Sequence, residues 1–182
     1  MFELPAKYGI FFLFLIISAF VGGLIHELGH YIVGWFLGWK PTLYFSRGGS
    51  VQYENAPSIE GAWSFISLLA GPIVTFGLAL TSFKLWKSHP FQIFLALALW
   101  NAVFRLSVLI DGKGSDESKM SAIVGIPLVF QSISIIGSLF LAYQILQSQE
   151  LIPKSIFLIP VYFVFCAIAY KVSFGMCSLI FR

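Results

Sequence analysis

Residues 8–39 read YGIFFLFLIISAFVGGLIHELGHYIVGWFLGW. The only carboxylate and imidazole side chains in this run are His26, Glu27 and His30. A bilayer core of about 30 Å needs about 20 helical residues for one crossing. The run therefore reads as a membrane helix long enough to overshoot, by tilting or by breaking near Gly22-Gly23. A charged side chain inside such a span costs at least about 2.5–3.5 kcal/mol. Three polar residues within one turn and a half of an otherwise apolar helix therefore mark a site.

The rest of the chain fits this reading. Of 182 residues, 58% are hydrophobic and 10% charged, and the mean hydropathy is +0.89. Soluble domains carry about 25% charge, and a chain this short cannot hide so much apolar surface in one core. Composition thus excludes an ordinary soluble globule and a disordered chain. The net charge of +3 is small and scattered, which excludes nucleic acid as a partner. Further apolar runs at 61–83, 91–110, 122–146 and 156–181 predict five spans in all. The expected architecture is an all-α polytopic membrane protein, one membrane-embedded domain over 1–182. The flank Met1–Lys7 is not clearly basic and no cleavage site follows, so the first apolar stretch is expected to be retained. Lys and Arg divide almost evenly between the two sides and leave the orientation open. Cys166 and Cys177 share one apolar stretch and read as membrane-helix residues, not as a disulfide or metal pair. The aromatic residues, Trp35, Trp39, Trp86 and Trp100 among them, read as lipid-facing or interfacial. Gly34 and Gly38 form a GxxxG pattern that permits close helix approach.

The segment Pro41–Pro57 differs from its surroundings. Two short β-prone runs flank Gly48-Gly49, which predicts a small hairpin after the first span. The most charged segment is Asp111–Lys119.

On a helix, positions i and i+4 share a face. His26 and His30 can therefore present ring nitrogens to one zinc ion, with Glu27 beside it as general base. Given the chain's three His and six Glu, the pattern arises by chance on the order of once in six hundred such chains. The competing reading is a polar patch that packs against another helix. A catalytic zinc usually takes a third protein ligand. The third run points the same way as the first, so its C-terminal end lies on the same side as the His pair. Asp111 stands there, with Asp116 as the alternative. Either reaches the His pair only if the third helix starts late or unwinds early. Asn101 and Arg105 share a face of that run. Asn101 either stabilises an oxyanion or orients a ligand, or makes a plain helix–helix hydrogen bond. Arg105 either pairs with Asp111, Asp116 or Glu117, or snorkels to the interface. His89 and Lys171 read as structural or interfacial.

These residues resemble the site-2 protease family of intramembrane zinc metalloproteases. His26-Glu27-Leu28-Gly29-His30 matches its HExxH motif. Ala70-Gly71-Pro72-Ile73-Val74-Thr75 resembles its Gly-Pro segment, with Thr75 where the family often has Asn. Asn101 with Leu109-Ile110-Asp111-Gly112 resembles the region whose aspartate is the third ligand, and Gly114-Ser115-Asp116-Glu117 aligns there as the alternative. The resemblance covers about 20–117, within a protease-like core of about 8–120, and implies nothing about the spans over 121–182. It implies a metalloendopeptidase with Zn²⁺, a membrane protein or peptide as substrate, and the hairpin as the element that binds extended substrate. Val51, Gln52 and Tyr53 would then pair with the substrate strand. No PDZ-like domain fits in so short a chain, so a substrate filter is intrinsic or comes from a regulatory membrane partner. The expected location is the cell membrane, multi-pass. Two rival readings remain: a non-proteolytic zinc-binding membrane protein, and a small transporter subunit in which Arg105 and Asp111 line a polar path.

Overall fold

A computed structural model describes residues 3–44, 50–56, 61–107 and 115–148, with single positions at 164 and 168. The elements are α1 (Glu3–Phe36), β1 (Pro41–Tyr44), β2 (Ser50–Tyr53), α2 (Ala62–Ser88), α3 (Gln92–Phe104), a 3₁₀ turn (Arg105–Ser107), α4 (Asp116–Ile123) and α5 (Val129–Gln147). Helices α1, α2 and α3 pack against one another, α5 packs on α3, and α4 sits against α2 and α5.

Among the described residues, three helices are long and apolar enough to cross a bilayer: Ile10–Phe36, Ala62–Ser88 and Val129–Gln147. The five expected spans are therefore not all seen. The fifth run, 156–181, lies outside the described residues apart from two helical positions. The third run folds as a helix of only 13 residues. At 1.5 Å per residue that is about 20 Å, short of the ~30 Å of a hydrocarbon core. The fourth run begins seven residues later than expected, at Val129, because Gly125 ends α4 with φ +72° and Pro127 disfavours helix in the residue before it.

The packing is inside-out relative to a soluble protein. Ser18, Ala19, Ala79, Ala96, Ala98, Ala102 and Ser138 are buried, while Ile10, Leu13, Ile17, Leu80, Ile133 and Phe140 face outward. Small interior residues let helix backbones approach when lipid is as apolar as leucine. The glycines of α1 show this most clearly. The helix runs through Gly22-Gly23 unbroken. A Cβ on Gly22 would lie 2.7 Å from both Asn101 Oδ1 and Trp100 Cδ1 of α3. One on Gly29 would lie 3.1 Å from the Ala70 carbonyl of α2. The expected helix contact at Gly34 and Gly38 is not what these residues do. Gly34 receives the ring of Tyr53, and Gly38 ends α1 with φ +75°. Two of the four tryptophans read as lipid-facing or interfacial are buried: Trp100 is 1% exposed and Trp39 8%.

The expected hairpin is present as a two-stranded antiparallel sheet with Pro41 opposite Tyr53 and Tyr44 opposite Ser50. Its Gly48-Gly49 turn lies outside the described residues. The alternating strand pattern turns Leu43, Val51 and Tyr53 inward and Thr42 and Gln52 outward.

Gly22→Val should push α3 off α1 and cost about 1–3 kcal/mol, as overpacking does elsewhere. Gly77, with nothing within 4 Å of its added Cβ, should accept alanine with a gain of up to about 1 kcal/mol from helix propensity. Unfolding by SDS titration in mixed micelles checks both.

Candidate metal centre

The site begins with α1, which carries His26 and His30 on the face shared by α2 and by the approach of α4. Both imidazoles are buried. Asp116, the first residue of α4, brings its carboxylate to them. His26 Nε2, His30 Nε2 and Asp116 Oδ2 form a triangle with every side 3.2 Å. These three residues can together hold a metal ion.

Proton positions sharpen the point. The hydroxyl of Thr75 donates to the Gly71 carbonyl at 2.9 Å. Its oxygen is then the acceptor for His26 Nδ1–H, 3.0 Å away. His30 Nδ1–H donates to the Ser67 carbonyl at 2.7 Å, an atom that can only accept. Each neutral ring therefore carries its proton on Nδ1 and turns the Nε2 lone pair inward. Two lone pairs and a carboxylate oxygen face one point. Without a positive charge between them they repel. A proton bridges two such atoms, whereas a metal ion meets all three.

Helix α2 supplies the outer support from one face. Ser67, Gly71 and Thr75 recur at intervals of four, so they line up toward α1. Gly71 makes the space. A Cβ there would collide with His26 Cε1 and His30 Nε2 and lie 2.7 Å from His26 Nε2. Pro72 follows inside the helix and has no N–H for the carbonyl four residues back. On the hairpin, Tyr53 reaches between α1 and α2. Its hydroxyl donates to the His30 carbonyl at 3.1 Å and meets Ser67 Oγ at 2.9 Å.

Glu27, next to His26 in the chain, is partly buried. It lies in the electrostatic field of His30, Asp116 and Arg105. Asp111 lies outside the described residues, and among the described residues the carboxylate at the His pair is Asp116. Asn101 is fully buried, with Nδ2 donating to the Leu97 carbonyl at 2.8 Å and Oδ1 against Gly22. Val51 and Gln52 stay on the strand, while Tyr53 anchors it. Arg105 does not snorkel: it is 4% exposed and pairs with Glu117. Sequence reading did not assign Thr75, Ser67 or the Tyr53 hydroxyl to the site. The signal was the stripe Ser67–Gly71–Thr75, small and polar on one face of an apolar helix.

The chain matches no protein-family model, no curated protein and no solved structure.

Gly71→Ala should abolish stoichiometric metal binding, because the new methyl occupies the space at both Nε2 atoms. Thr75→Val, which removes the acceptor for His26, should weaken it about 10–100-fold, as loss of ligand-orienting partners usually does. Metal content and chelator competition on purified protein check both.

Proposed function

We propose that this protein is a multi-pass membrane metalloendopeptidase that uses zinc to hydrolyse peptide bonds of membrane-associated or transmembrane substrates. The observation that carries the reading is the 3.2 Å triangle of proton-free donor atoms with a partly buried carboxylate, Glu27, beside it. A tetrahedral ion with bonds of about 2.0 Å keeps its ligand atoms about 3.3 Å apart, and two imidazoles with one carboxylate are a usual zinc set. The resemblance of His26–His30 to the HExxH motif of site-2 proteases agrees with it.

When bound, zinc supplies Lewis acidity that polarises a substrate carbonyl and acidifies water. His26, His30 and Asp116 would hold the ion. Thr75 and Ser67 fix the two rings so that no rotation is needed during reaction. Glu27 accepts a proton from the attacking water and passes one to the leaving amine. The surrounding apolar helices exclude bulk water, which strengthens each of these interactions. A helical substrate must unwind to offer its peptide bond, because helical amides are already hydrogen-bonded. Strand β2 offers the unwound segment an edge to pair with, around Val51 and Gln52. Because Tyr53 bonds the His30 carbonyl, a peptide on that edge lies close to the metal ligands.

Glu27→Gln should keep zinc and lose cleavage of a transmembrane reporter peptide by at least 10²-fold, the usual contribution of a general base. Asp116→Ala should lose stoichiometric zinc on purification and keep only weak binding to the His pair, whereas Asp111→Ala should retain it. Metal analysis beside a cleavage assay in proteoliposomes reads all three. Zinc retained with no cleavage by wild type would leave a non-proteolytic zinc protein. A wild-type protein without stoichiometric zinc would remove the reading altogether.

A further inference from the structure

A second buried polar group lies next to the metal centre, and the chemistry above does not use it. Arg105 opens the 3₁₀ turn after α3, Glu117 is the second residue of α4, and Ser134 lies on α5. All three are buried, Glu117 to 1% exposure. Arg105 Nη1 is 3.3 Å from Glu117 Oε1, and Ser134 Oγ donates to that same oxygen at 3.0 Å. Arg105 Nη1 also lies 4.0 Å from Asp116 Oδ2, the donor atom of the third ligand. Three separate elements thus meet at two adjacent carboxylates.

Their adjacency has a mechanical consequence. Helix α4 has eight residues and buries only Glu117, Met120 and Ser121. A helix so short does not hold itself in place by its own backbone bonds. Successive side chains on a helix point about 100° apart. Fixing Glu117 against Arg105 and Ser134 therefore fixes the rotation of α4 about its axis, and with it the direction of Asp116. A one-residue slip would turn the carboxylate away from the His pair.

We propose that Arg105 and Glu117 are positioning residues for the third metal ligand. The pair locks the rotation and depth of α4 and so delivers Asp116 Oδ2 to His26 and His30. This rests on the zinc part of the reading above and not on peptide cleavage.

The test is zinc affinity of the full chain in nanodiscs, read by competition with a chromogenic chelator. Replacing both partners by apolar residues, Arg105→Met with Glu117→Leu, leaves no uncompensated buried charge and preserves packing. This double variant should bind zinc about 10–100-fold more weakly than wild type, with unchanged thermal unfolding of the metal-free protein. In an Asp116→Ala background the same two replacements should cause no further weakening, since the ligand they position is gone. Glu117→Gln, nearly the same shape and still able to accept from Ser134, should fold and show a smaller loss in the same direction. Wild-type affinity in the double variant and in Glu117→Gln would overturn the proposal. So would equal losses with and without Asp116, which would make the pair a general brace of the fold. Zinc binding that shows the expected coupling in a protein that cuts nothing would sustain the proposal and remove only the peptidase reading. Absence of zinc from wild type would overturn both.

Discussion

A lone pair or charge held away from water must find a partner or it costs several kcal/mol. In this chain that constraint acts on five side chains within one apolar bundle: His26, His30, Asp116, Arg105 and Glu117. Each is tied to another by geometry. The rings turn Nδ1 outward to Thr75 and Ser67 and Nε2 inward to Asp116. Arg105 meets Glu117. What is left over is a concentration of acceptor atoms at one point, and Gly71 leaves the space for it.

Small residues recur because volume is the scarce quantity at each contact. Gly71 admits the two imidazoles, Gly22 admits Trp100 and Asn101, and Gly34 admits Tyr53. These three glycines bring α2, α3 and the hairpin to α1 at three different heights. The short α3 matters as much. Because it ends at Phe104, the chain turns early enough for α4 to place a carboxylate at the His pair. The described hairpin joins the same system through Tyr53, whose hydroxyl links His30 on α1 to Ser67 on α2.

The His pair was legible in the sequence because an apolar helix makes any imidazole conspicuous, and because spacing four on a helix is one face. The hairpin was legible for a similar reason: Gly48-Gly49 between β-prone runs. The number of spans was less so. Hydropathy registers apolar runs, but it does not register where Gly125 and Pro127 delay a helix or where a run stops after 13 residues. Tryptophans misled for the same reason, since an apolar ring is equally at home in lipid and against a glycine.

By itself, then, the sequence determined the long apolar helices, the shared face of His26 and His30, and Glu27 next to them in the chain, because helical periodicity and polarity are local properties. Only the tertiary structure decided that Asp116 completes the donor triangle, that Thr75 and Ser67 set the rings, and that Arg105 pairs with Glu117. Each of these contacts joins residues far apart in the chain, and which partners meet depends on where short helices end and how closely glycines let their axes approach.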